Sequence, residues 1–173
     1  MIRAIKAKDL LLPSVDIWFK RWFVLTAGTM EKFNAMTVAW GSIGGIWEMP
    51  FVQVVVRPTR HTFGFMNDAD TFTLCSFPAK FRKDLALLGS RSGRDGDKIA
   101  LTRLTVMKSK AVAAPCFREA DLVMECRKIY WQDLDDRNFL SAKIAANYPQ
   151  LDFHRVFFGE ILRLRGSDEF RKK

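Results

Sequence analysis

Phe33-Asn34-Ala35-Met36-Thr37-Val38-Ala39-Trp40-Gly41 and the later run Phe51-Val52-Gln53-Val54-Val55-Val56-Arg57-Pro58-Thr59-Arg60-His61-Thr62 decide how this chain folds. Each reads as a strand attached to a polar cluster. In the first, period-two alternation sets Val38 and Trp40 on one face and Thr37 and Ala39 on the other. In the second, the β-branched run fits a buried strand and stops at Arg57-Pro58, because proline has no N–H for the ladder. Beyond that turn, Thr59 is predicted to cap a short helix from about Arg60 to Met66. Arg60 and the Thr62 hydroxyl would then sit in its first turn. A helix N-terminus favours anions, so an arginine there opposes the dipole unless a bound anion such as a phosphate lies between them. A solvated Arg60 is the alternative reading of the same residues.

Outward from this pair, the pattern predicts strands over 22–27, 36–43, 51–57, 71–77, 122–131 and 154–164. Gly44-Gly45 and Pro50 read as a loop closing the second of these. Phe81, Leu85 and Leu88 form one stripe of a helix over 79–89, with Gly89 just past its end. A second helix is predicted over 138–147. Residues 90–98, Ser-Arg-Ser-Gly-Arg-Asp-Gly-Asp-Lys, form the most polar stretch and read as a loop. Fainter strand signals fall at 101–107 and 111–114. Many strands with few helices between them predict a mainly β chain, an antiparallel barrel built as one domain over residues 1–173.

Of the 173 residues, 49% are apolar and 15 are Phe, which supplies a core without disulfide staples. Cys75, Cys116 and Cys126 show no CxxC spacing, and no charged-then-apolar leader precedes them, so a reducing cytoplasm is expected. No apolar run reaches the roughly 20 residues of a membrane span. The net charge of +9 raises the question of nucleic acid. The basic residues are scattered rather than set in one stripe with interleaved aromatics, which argues against that partner and leaves a small anionic ligand.

Several chemistries lack their motifs. GxGxxG and GxxxxGK[ST] are absent, so neither common nucleotide-binding loop is present. Only His61 and His154 are available, and no His/Cys/carboxylate spacing suits zinc, so no metal site is expected. There is no GxSxG elbow. Phosphate-binding potential on a β-rich, aromatic chain without nucleotide-fold glycines suits an FMN protein.

Three motifs in order carry a resemblance: Asn34-x-Met36-Thr37-x-x-Trp40-Gly41, Arg57-Pro58-x-Arg60-x-Thr62, and Ser92-Gly93-Arg94-Asp95-x-Asp97-Lys98. Together with Glu125-Cys126 and His154 through Gly159-Glu160-Ile161, they resemble the flavin reductase-like FMN-binding split-barrel family, in its flavoredoxin branch. The match spans roughly residues 20 to 165. The resemblance implies a six-stranded split barrel, a homodimer, and noncovalent FMN near the dimer interface.

It also assigns residues. Asn34, Ala35, Met36, Thr37 and Trp40 would line the isoalloxazine, with the Thr37 hydroxyl facing its polar edge. Arg60 and Thr62 would hold the phosphate, with Arg57 and Ser92 in the same cofactor-binding set. Cys75 and Ser76 would approach the ring, although Ser76 departs from an asparagine common in other branches. Lys98 would reach the phosphate or the reductant, oriented by Asp97, and His154 would lie beside nicotinamide and flavin. Two functions follow from the resemblance: a flavin oxidoreductase using NAD(P)H, or an electron carrier reduced by a protein partner. A haem- or pyridoxal-phosphate-binding relative on a similar barrel is a third.

Overall fold

The computed structural model describes residues 2–172. Its strands are β1 (Arg3–Ala4), β2 (Phe23–Gly28), β3 (Phe33–Val38), β4 (Gly41–Ile46), β5 (Met49–Val56), β6 (Thr71–Ser76), β7 (Val106–Met107), β8 (Cys116–Phe117), β9 (Leu122–Asp133) and β10 (Arg155–Gly166). The helices are α1 (His61–Asp68), α2 (Arg82–Ser90) and α3 (Ala142–Ala145). Eight strands form one sheet in the order β3-β2-β6-β9-β10-β5-β4, with β1 added beside β10. Every pairing in it is antiparallel.

The sheet curls until β3, at one edge, comes back to face β5. It does not close there, and this gap makes the barrel split. Side-chain alternation divides the core in two. Phe23, Leu25 and Ala27 of β2 point into the barrel with Phe72, Leu74, Met124 and Phe157. Val24, Ala35, Cys75 and Val123 point the other way, onto Phe81, Leu85 and Leu88 of the segment that ends in α2. The stripe read from sequence is therefore the face α2 buries. Gly159 of β10 lies at a register shift, where a Cβ would stand 2.4 Å from the Phe72 ring. A side chain there would displace that ring from the barrel interior.

The mainly β antiparallel class holds, with more strands than the six expected. The expected strand over 36–43 is two strands, because pairing with β2 ends at Val38 and pairing with β5 begins at Gly41. Val38 is buried while Trp40, in the break, is 44% exposed, so the two do not share a strand face. Gly44 and Gly45 lie inside β4, opposite Phe51 and Pro50. The turn is Trp47-Glu48, both at positive φ (50° and 59°), as a two-residue hairpin turn requires. Neither is a usual turn residue, which is why composition pointed to the glycines instead.

Other boundaries move as well. Arg60 is the extended residue before α1, and no side chain caps that helix, so Thr59 is not its cap. Gly89 falls inside α2, and Arg91 ends it. Of the faint strands, only Val106–Met107 forms, pairing with Cys116–Phe117. The helix over 138–147 shrinks to α3, and His154 precedes β10. Among the described residues, no helix is long and apolar enough to cross a membrane.

Candidate functional site

β3 has a strand on one side only, so backbone amides and carbonyls along its outer edge have no ladder partner. Both α1 and α2 pack against it. Two cavities open along this edge and share Met36.

The first, of 170 Å³, is lined by Asn34, Arg60, Thr62, Ser92, Arg94 and Lys98 among others, and none of its lining residues is a carboxylate. Thr62 is buried, and its hydroxyl accepts from Asn34 Nδ2 at 2.6 Å, which ties α1 to β3. No side chain caps the start of α1, and His61 and Thr62 of its first turn line this cavity. Arg60 donates to the Gly89 carbonyl at 2.6 Å. The Lys98 ammonium donates to the carbonyls of Leu88 and Arg91, at 2.9 and 3.1 Å.

These cations thus hold the carbonyl end of α2, where positive charge is favourable. They also crowd one another. Burial, and then the charge of Arg60, bring the Lys98 ammonium down to about 8. Arg60 itself is held below its usual range by burial and then by Arg57. Arg91, Gly93, Arg94 and His61 also line this cavity, and the residue-by-residue reading had not assigned them. Gly93 is required: a Cβ there would stand 2.2 Å from Asn34 Oδ1 and 3.0 Å from His61 Cδ2. The glycine lets the 90–98 loop press its backbone against β3.

The second cavity, of 230 Å³, sits over the gap in the barrel and is lined by Met36 to Trp40, Val55, Arg57 and His154. The Trp40 and His154 rings lie 5.2 Å apart. His154 is buried, and its Nδ1 meets the Tyr148 hydroxyl at 2.8 Å. Burial, with Arg57 adding to it, brings its imidazole down to about 4, so it is neutral at ordinary pH.

Not every expected residue reaches these cavities. Cys75 and Ser76 are fully buried on β6, and β2 lies between that strand and β3, so they line neither. Ala35 turns its methyl into the second core and leaves only backbone at the edge. The Thr37 hydroxyl donates to the Leu85 carbonyl of α2 rather than standing free. Asp97 accepts from the amides of Ile99 and Ala100, not from Lys98. Arg57 turns away from the cationic cavity: it pairs with Asp152 at 2.7 Å, donates to the Asn147 carbonyl at 2.7 Å, and lies over the Tyr148 ring. It thereby ties Asn147, Tyr148 and Asp152 of the 134–153 segment to the end of β5.

The structure is thus an antiparallel barrel split at one seam, with a cationic pocket and an aromatic-walled pocket on its free edge strand. The flavin reductase-like domain family model matches residues 20–172, and the chain belongs to that family. Similar folds include the FMN-binding domain of a flavin reductases-like enzyme from Shewanella baltica, with 16% identity and a TM-score of 0.69, covering 96% of this chain and 77% of that one. Flavoredoxin from Methanosarcina acetivorans is 22% identical with a TM-score of 0.67, covering 96% and 76%. The NADH:FAD oxidoreductase SgcE6 of Streptomyces globisporus is 17% identical with a TM-score of 0.64, covering 83% and 73%.

Arg57→Ala should leave the barrel folded and loosen the 134–153 segment. Limited trypsin digestion should then cut at Arg137 and Lys143 several-fold faster than in the parent. Equal cleavage would show that Arg57 does not hold the segment.

Proposed function

We propose that this protein binds FMN noncovalently along β3 and passes a hydride or electrons from NAD(P)H to an acceptor. One observation carries this reading: a carboxylate-free cationic cavity adjoins an aromatic-walled cavity on the same edge strand. The donor set fits a phosphate monoester, since Arg60, Arg94, Lys98 and the amides at the start of α1 converge without an acidic partner. The second cavity offers Met36, Val38 and Val55 to a flat apolar ring, with unpaired β3 backbone for its polar edge.

Bound FMN supplies the redox chemistry, so no acid–base pair is demanded of the protein. The chain's part is to hold the phosphate, orient the ring and keep one face accessible. His154, neutral and fixed by Tyr148, presents its imidazole to a nicotinamide rather than a proton to the reaction. The electron-carrier reading is favoured by the half-exposed Trp40 at the mouth, which suits a protein donor.

A second copy of the chain is part of this proposal. Trp47 and Tyr130 are 57% and 42% exposed and pack with Phe158 and Phe51 into one aromatic patch on the barrel. Light scattering at micromolar concentration should give a dimer mass, and a monomer would remove this part. The three free cysteines, all buried, suit a reducing cytoplasm.

Arg60→Ala should weaken FMN binding roughly 10-fold to over 100-fold, the worth of one charge-assisted contact. Lys98 gives the site a pH dependence. Its cation is present below about 8 and lost above it in the free protein, so FMN affinity should fall by up to roughly tenfold per pH unit above that point. Calorimetric titration across this range checks both effects. Unchanged affinity in Arg60→Ala, or a slope that survives in Lys98→Met, would move the phosphate elsewhere.

Anaerobic NADH or NADPH should bleach the flavin absorbance of the loaded protein, whereas bleaching by neither favours the carrier. In His154→Ala, stopped-flow reduction should slow while flavin content stays nearly intact. Normal kinetics would remove His154 from the reaction. Flavin content and melting temperature falling together would assign it to holding Tyr148 instead.

A further inference from the structure

His61 opens α1 and lines both the cationic cavity and a space of 330 Å³ beyond it, together with Asn34, Gly93 and Lys98. Its ring is held from two sides. The Phe65 ring meets it edge-on at 5.3 Å, and the loop backbone at Gly93 comes so close that a Cβ there would stand 3.0 Å from His61 Cδ2. The imidazole is thus placed without being used. His154 has the Tyr148 hydroxyl on its Nδ1, whereas neither ring nitrogen of His61 has a hydrogen-bond partner among the described residues. A placed imidazole with free nitrogens, at a helix start that no side chain caps, is suited to an anion.

The charges around His61 oppose its proton. The 90–98 loop brings Arg91, Arg94, Lys98 and the Asp97 carboxylate, the turn before β3 brings Glu31 and Lys32, and Arg60 precedes it in the chain. Both carboxylates are engaged elsewhere. Asp97 accepts from the Ile99 and Ala100 amides, and Glu31 is held below its usual range by the Thr29 hydroxyl first and then by its own amide. Burial, and then the charges of Arg94, Lys98 and Lys32, hold the His61 imidazole below its usual range, so it is neutral near pH 7 in the free protein. The open end of α1 acts in the same direction. A phosphate monoester brings about two negative charges above pH ~6. In a cavity of 170 Å³ those charges come close enough to the ring to reverse the balance.

We propose that His61 is a direct ligand of the flavin phosphate and takes up a proton from solvent as that anion enters. This rests on the flavin reading above and adds a residue and a pH response to the same site.

Calorimetric titration of the flavin-free protein with FMN, repeated in buffers of different ionisation enthalpy, reads the proton directly. At pH 7 the parent should take up roughly half a proton per FMN, and the NMR titration midpoint of the His61 ring should rise by about one pH unit or more. His154, brought down to about 4, does not titrate in this range, so the two histidines of the chain are told apart. Lys98, at about 8, adds only about a tenth of a proton at pH 7. Since the bound state holds the proton more tightly, the share of affinity due to His61 is present at low pH and fades as pH rises through the bound midpoint. His61→Gln keeps a hydrogen-bond donor and should lose the uptake. It should bind FMN several-fold more weakly than the parent at pH 6.5 and within about twofold of it at pH 8.5, a pH-dependent difference that a merely structural role would not produce. Absence of uptake in the parent, or uptake that persists in His61→Gln, would overturn the proposal and leave the mononucleotide reading standing. Failure of the parent to bind FMN would overturn both.

Discussion

The break in pairing at Ala39-Trp40 is the constraint on which the rest of this structure depends. Up to Val38 the chain is a partner of β2, and from Gly41 it is a partner of β5 on the other side of the seam. Two unpaired residues therefore carry the backbone across the seam. Gly41 makes the landing possible, since a Cβ there would stand 2.3 Å from the Gln53 carbonyl and 2.4 Å from the Trp18 ring. Edge strands are ordinarily blunted by charge, bulges or covering elements. Here α1 and α2 flank the edge and leave open the stretch where a ligand would complete it.

The cationic cavity follows from where those two helices point. The start of α1 and the end of α2 converge on β3, bringing unpaired amides and surplus carbonyls to one spot. The carbonyls draw in Lys98 and Arg60, and the amides remain for an anion. Each cation is thus held by structure before any ligand arrives, which lowers the ordering cost of binding. The same arrangement opposes itself in the free protein, since burial first and then the Arg60 charge lower the Lys98 ammonium. An anion bound there would relieve both the repulsion and the open helix terminus, which would couple binding to local stability.

The barrel class was legible because strands such as β6 and β10 alternate in sequence, and Arg60 with Thr62 drew notice because an uncompensated arginine beside a helix start is chemically conspicuous. The seam was not legible. Nothing in Val38-Ala39-Trp40-Gly41 tells a continuous strand from one that changes partners, because that choice depends on a barrel formed by distant segments. The turn at Trp47-Glu48 was hidden for a related reason: tertiary pairing of Gly45 with Pro50 overrides the local preference for glycine in the turn. Cys75-Ser76 shows the limit of transferring roles by motif order, since β2 stands between that strand and the groove. Asp97 was expected to orient Lys98 and instead accepts from the Ile99 and Ala100 amides, which only side-chain geometry distinguishes.

Cavity size alone would have pointed elsewhere. A larger space, of 690 Å³, lies beside Arg21, Phe77, Arg82 and Asp121. There Arg21 already pairs with Asp121 and Glu169, so its charge is answered within the chain. Another, of 390 Å³, is walled by Leu10, Leu12, Ile17, Trp18 and Ile43 and presents no charged side chain. The groove on β3 gathers Arg60, Arg94 and Lys98, whose hydrogen bonds go to carbonyls, with no carboxylate in its lining, whereas the space beside Arg82 contains Asp121 and Glu169. Desolvated charge left unneutralised is costly to a folded chain unless a partner supplies the opposite sign. That cost, concentrated at the open edge of the sheet, is the reason for proposing this groove rather than the roomier ones as the binding site.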